Sequence, residues 1–154
     1  MCSKKNNPFA LFLRGFRYAA AGIVRCFGER NFRVHTVAAV AVPLFARHFL
    51  DTRAEWAVLF LTIAAVLAAE AINTAIEQAV DLACPERNPQ AGAAKDVAAG
   101  AVLLCALGAI AVAVCLFSDT ADWAALLALW QAEWWRPALW AAAVPFAAWF
   151  VFRK

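Results

Sequence analysis

From Val97 to Phe117 the chain runs for 21 residues without a charged side chain, and from Trp56 to Ala69 for another 14. About 20 consecutive apolar residues are what a helix needs to cross the hydrocarbon core of a bilayer. Such segments fold against lipid, or in the middle of a core larger than this chain can build. With 154 residues there is one domain's worth of interior. Yet 65% of the residues are hydrophobic and only 16% charged, against about 45–50% and about 25% in a soluble domain. A soluble fold of this size cannot hide that much apolar surface. The fold class expected is therefore all-α and integral to a membrane.

The other elements follow from spacing. In residues 8–32, Phe9, Phe12, Leu13, Phe16 and Ala20 recur at three- and four-residue steps, while Arg14, Arg17 and Arg25 lie off that stripe. This pattern predicts an amphipathic helix on the membrane surface, cations among headgroups. A first span is predicted over Val34–Leu50, with a turn at Arg47–Arg53 and a long helix from Ala54 to Ala83. Cys84-Pro85 through Pro89 ends it, because Pro breaks helices and restricts the residue before it. A third span covers Gly92–Phe117. Residues 118–136 form a mixed connector in which Ala121–Trp130 is an interfacial helix and Trp123, Trp130, Trp134 and Trp135 form an aromatic belt. A fourth span, kinked at Pro145, ends at Phe152. The expected organisation is a surface-helix unit (1–33), a three-span core (34–117) and a connector with an extra span (118–154).

Charge sets the expected orientation. The first 34 residues carry seven cations and do not read as a cleaved signal peptide. Loop 84–96 has Arg87 and Lys95, whereas 118–136 has Asp119, Asp122 and Glu133 against Arg136 alone. The cation bias puts both termini on the cytoplasmic side, although Arg47 and Arg53 in the first turn run against it. The net charge of +3 includes no basic run with interleaved aromatics, so no nucleic-acid partner is expected. The five cysteines (2, 26, 84, 105, 115) match no metal or disulfide spacing and are read as ordinary small side chains.

The chemistry lies in Glu70-Ala-Ile-Asn73-Thr-Ala-Ile-Glu77-Gln-Ala-Val-Asp81. At about 100° per residue, Glu70, Asn73, Glu77 and Asp81 fall within about 80° of one another on a helix. Glu70 follows the 14-residue apolar run directly, and an ionisable group at that depth is costly and usually functional. A stripe of carboxylates without cations is relieved by burial or by a metal ion; hard oxygen ligands suit Mg²⁺, which takes one or two from protein and the rest from phosphate and water. Lys95-Asp96 follows on the same side. No Gly-rich phosphate loop is present, which excludes a soluble kinase fold. These residues alone leave two readings open: Mg²⁺-dependent phosphate chemistry, or cation transport by a small channel, transporter or non-catalytic membrane subunit. Clustering at one membrane surface, away from the midplane where secondary transporters bind, favours the first.

At three blocks the chain closely resembles the small prokaryotic diacylglycerol and undecaprenol kinases. They are Glu29-Arg-Asn-Phe-Arg-Val-His35, Glu70-Ala-Ile-Asn73-Thr-Ala-Ile-Glu77, and Ala94-Lys95-Asp96-Val-Ala-Ala-Gly100-Ala-Val-Leu103. The resemblance covers about residues 10–117, and the Glu-x-x-Asn-Thr-Ala-Ile-Glu helix followed at this distance by Ala-Lys-Asp is specific. It implies an ATP-dependent lipid kinase of the bacterial inner membrane, working as a homotrimer with sites shared between subunits. By resemblance Glu70 is the base on the lipid hydroxyl, Glu29 and Glu77 hold Mg²⁺, and the nucleotide meets Arg17, Glu29, Asn73, Glu77, Glu86, Lys95 and Asp96. Glu86-Arg87-Asn88 departs from the family's common Glu-Tyr-His, and 118–154 has no counterpart in short members. The motifs lean towards undecaprenol as substrate, with diacylglycerol the alternative.

Overall fold

The computed structural model describes residues 8–153; Cys2, Lys4, Lys5 and Lys154 lie outside them. The described residues form six helices and no strand: α1 (Pro8–Cys26), α2 (Arg30–Ala46), α3 (Arg53–Ala83), α4 (Pro89–Leu116), α5 (Thr120–Ala132) and α6 (Trp135–Phe152).

Helix boundaries have local causes. α1 stops at Cys26 rather than continuing to residue 32. The amides of Phe27, Gly28 and Glu29 turn back onto the carbonyls of Val24, Arg25 and Cys26 at 3.2, 2.9 and 2.9 Å, tightening the last turn in the way helix ends often do. A Cβ on Gly28 would sit 3.1 Å from the Arg25 carbonyl oxygen, which suits glycine there. α2 then starts at Arg30, four residues before Val34. α3 opens on a capping box: Thr52 Oγ1 accepts from the Glu55 amide at 3.3 Å, and Glu55 Oε2 accepts from the Thr52 amide at 2.8 Å. α4 starts at Pro89, with Asn88 Oδ1 accepting from the Gln90 amide at 2.8 Å; Pro is favoured in a first helical turn because its missing N–H would be unpaired there anyway.

α3 and α4 form the most extensive helix pair, an antiparallel hairpin; α2 lies against α3, and α6 against α2. α3 and α4 are long and apolar enough to cross a membrane. Their outward faces keep large apolar groups uncovered, such as Leu61 and Leu104, each 71% exposed. The large exposed apolar side chains far outnumber the buried ones, as expected when lipid is the outer solvent.

At the end away from the α3–α4 turn, α5 crosses over the α2–α3 connection. Leu126, only 3% exposed, packs with Ala46, Phe49, Leu50 and Leu59. Phe45, Phe49 and Phe117 stack edge-on around it with Trp123, whose Nε1 donates to the Phe117 carbonyl at 2.8 Å. Trp123 therefore points partly inward, while Trp134 is 76% exposed. His48 in the connection is partly desolvated, and Arg47 and Arg136 add positive charge beside it; together these hold its pKa below the ordinary value. Leu126→Ala should cost about 2–4 kcal/mol, since the vacated space is enclosed on several sides. A lowered thermal unfolding midpoint in detergent checks this.

α6 runs antiparallel along α2. Trp140 meets Phe45 near one end (centroids 6.4 Å apart), and Phe150 meets Phe27 at the other (6.4 Å). There Arg33 Nη1 donates to the carbonyls of Phe150 and Arg153 at 3.3 and 2.7 Å, closing α6 with a cation, the charge a helix C-terminus prefers. The described cysteines, 26, 84, 105 and 115, are all free thiols.

Candidate functional site

The buried polar side chains among the described residues are Glu70 (3% exposed), Asn73 (8%) and Thr74 (5%). All three sit on α3, three and four residues apart, on the face turned to its neighbours. A helix with so apolar a composition gains nothing in stability by burying a carboxylate there.

Across from them, α2 supplies His35, whose Nε2 stands 3.2 Å from Glu70 Oε1. One turn on, Asn73 Nδ2 donates to Glu77 Oε1 at 2.9 Å. Asn73 Oδ1 is buried with no hydrogen-bond partner, an unused oxygen beside a half-buried carboxylate. Glu77 and Glu29, the latter exposed at the start of α2, both lie near enough to Glu70 to act on it electrostatically. Three carboxylates from two helices thus converge on one end of the bundle. Among the described residues no three His, Cys, Asp or Glu side chains are grouped tightly enough to enclose a metal. A cation there would need further oxygens from a phosphate or water, which is how Mg²⁺ is usually held.

Other residues singled out in the sequence are more scattered. Lys95 on α4 forms an ion pair with Asp81 on α3. That pair lines a cleft of about 510 Å³ at the α3–α4 turn, together with Cys84, Glu86 and Arg87. Glu86 is exposed there, with its backbone carbonyl 3.7 Å from Cys84 Sγ. Asp96 is exposed and has no ion pair among the described residues. Arg17, on the exposed length of α1, stacks over its neighbour Tyr18 with 5.9 Å to the ring centroid; it is not drawn into the acidic group.

His35, the residue facing Glu70, borders one further feature. An apolar cleft of about 240 Å³ runs between α2, α3 and α4, from His35 past Val42, Leu59 and Val66 to Phe117. His35 is its one ionisable lining residue. Sequence reasoning placed His35 in a motif and gave it no role. The criterion applied to Glu70, an ionisable group beside an apolar run, also describes His35 ahead of Thr36–Ala46 and would have found it.

Comparison with known proteins identifies relatives of the chain. The family described as prokaryotic diacylglycerol kinase matches residues 17–117. A diacylglycerol kinase of Synechocystis sp. is 47% identical over 106 residues, 68% of this chain and 61% of the relative's length. The undecaprenol kinase of Bacillus subtilis is 38% identical over 112 residues, 72% of this chain and 91% of the relative. The chain thus spans less than two thirds of the cyanobacterial relative. No solved structure matches. The family match ends at Phe117, where α4 has just finished, and begins inside α1. It takes in all three acidic residues, Asn73, His35 and the Lys95–Asp81 pair, so the chain belongs to the prokaryotic diacylglycerol kinase family of membrane lipid kinases.

Proposed function

We propose that this chain transfers the γ-phosphate of ATP to the hydroxyl of a membrane lipid alcohol, undecaprenol, in a Mg²⁺-dependent reaction at the cytoplasmic surface of a bacterial inner membrane. One observation carries the reading: a buried carboxylate, Glu70, stands 3.2 Å from His35, which lines an apolar cleft between α2, α3 and α4. A lipid tail can lie in such a cleft while its hydroxyl reaches the carboxylate.

The steps assigned to the chain are few, because phosphoryl transfer is mostly positioning and charge stabilisation. Glu70 takes the hydroxyl proton as the lipid oxygen bonds to the γ-phosphorus; the bond to the bridging oxygen breaks and ADP leaves. Glu29 and Glu77 would hold Mg²⁺, with Asn73 aligning Glu77 through their hydrogen bond. The donor set fits that ion: it is all oxygen, and the unpartnered Asn73 Oδ1 adds another hard donor. Bound there, Mg²⁺ would neutralise charge developing on the β- and γ-phosphates. Lys95, Glu86 and Asp96 are assigned to the nucleotide by way of the cleft at the α3–α4 turn, and Arg17 from α1.

For topology, α2 and α6 join α3 and α4 as spans, with α1 and α5 at the two interfaces. The antiparallel run of α6 along α2 supports this, as does the solvent-exposed position of Phe9, Phe12 and Phe16 on α1. Association as a homotrimer would cover part of the apolar surface that α4 leaves open, since almost none of its spanning segment is buried within one copy.

A second substrate reading, diacylglycerol, is favoured by the more identical of the two relatives. A radiolabelled-ATP assay in mixed micelles, offering undecaprenol, diacylglycerol and other lipid alcohols in turn, decides it. Label should enter undecaprenol with the highest kcat/KM and vanish when Mg²⁺ is omitted. Preferred labelling of diacylglycerol selects the second reading, and failure to label any lipid removes both.

A further inference from the structure

Glu70 has one polar side-chain partner among the described residues, and it is His35. A glutamate reaches its site through three rotatable bonds and carries two equivalent oxygens, so burial alone does not decide which oxygen faces a substrate. The imidazole stands 3.2 Å from Oε1, and Oε2 has no side-chain partner among the described residues. His35 is also where the apolar cleft ends. Its side chain is 25% exposed and that of Glu70 4%, so the ring is the more accessible member of the pair. Thr36, the next residue, bonds back to the Phe32 carbonyl at 2.8 Å, and Arg33 is fixed to the end of α6. Arg33 thus ties the turn bearing His35 to the end of α6.

We propose that His35 is a positioning residue for phosphoryl transfer: it orients Glu70 through Oε1, so that Oε2 meets the lipid hydroxyl delivered along the α2–α3–α4 cleft. The proposal deepens the lipid-kinase reading and rests on Glu70 being the base. His35 forms no bond to the transferred phosphate, and the hydroxyl proton stays on Glu70 until product leaves. The other charged groups acting on Glu70 are Glu77 on α3 and Glu29 at the start of α2.

A helix staple with no catalytic consequence would also place a histidine here, and kinetics separate the two. In full-length protein in mixed micelles, His35→Ala should lower kcat about 10–100-fold, the range lost when a reacting group is misplaced by about an ångström. Its KM for Mg-ATP should stay within about twofold of wild type, because metal and nucleotide contacts lie elsewhere. His35→Gln, which offers an amide N–H near the former Nε2 position, should recover most of kcat. Unchanged kcat in His35→Ala overturns the proposal. So does an equal loss in both variants that tracks a lowered unfolding temperature, which identifies a staple alone. Wild-type protein that labels no lipid alcohol defeats the lipid-kinase reading itself; active wild type with indifferent His35 variants defeats only this inference.

Discussion

Glu70→Gln should lower kcat for lipid phosphorylation by about 10²–10⁴-fold, the contribution typical of a positioned general base, with nucleotide binding largely intact. Glutamine is close to isosteric, keeps an oxygen that His35 can address, and removes only the ability to accept a proton at that site. The residue is 3% exposed, with α2's His35 against its carboxylate, so water cannot readily stand in for the lost base. Folding should tolerate the change, because a neutral amide costs less to bury than a carboxylate. Mg-ATP binding measured directly beside single-turnover phosphorylation checks the prediction. A variant that turns over normally shows that the hydroxyl loses its proton elsewhere. One that loses nucleotide affinity instead places Glu70 among the metal ligands.

Glu77→Ala should raise the apparent dissociation constant for Mg-ATP by about 10–100-fold, the scale lost when groups orienting a metal site are removed. Two effects combine. The substitution deletes one of the two carboxylates assigned to the ion, and it strands Asn73, whose Nδ2 donates to Glu77 and whose Oδ1 already lacks a partner. A buried amide with neither end satisfied costs further stability. Titrating Mg²⁺ at fixed ATP distinguishes the roles: the half-saturating Mg²⁺ concentration should rise with Glu77→Ala and hold steady with Glu70→Gln. An unchanged Mg²⁺ dependence in the first variant refutes the ligand assignment.

The hairpin bearing the site was legible in the sequence because its signals are local. Apolar runs of spanning length, the Pro85 and Pro89 break and the polar stripe Glu70, Asn73, Glu77 and Asp81 at three- and four-residue steps are each read from residues close in sequence. The end of α1 was not read correctly, since the basic and apolar residues of 29–33 continue the amphipathic rhythm past Gly28 and mask the turn. The inward tilt of Trp123 was also hidden: α5 is apolar on nearly every side, so periodicity carries no information about which ring turns inward. Tertiary pairs were the hardest to foresee. His35 and Glu70 are 35 positions apart and meet only once α2 has chosen its register on α3. Resemblance sent Lys95 to the phosphates, whereas the folded chain pairs it with Asp81, so nucleotide binding would have to share or displace that partner.

The clasp between Arg33 and the last carbonyls of α6 makes that helix a splint for the start of α2. Arg33 lies between Glu29 and His35, so sliding or turning the final helix would drag two site residues with it. Insertions should therefore be tolerated unevenly along the C-terminal third. Extra residues at the Ser118–Asp119 joint only lengthen a connection, whereas one residue added inside the last turn of α6 would rotate the carbonyls that Arg33 grips by about 100° and unfasten the splint.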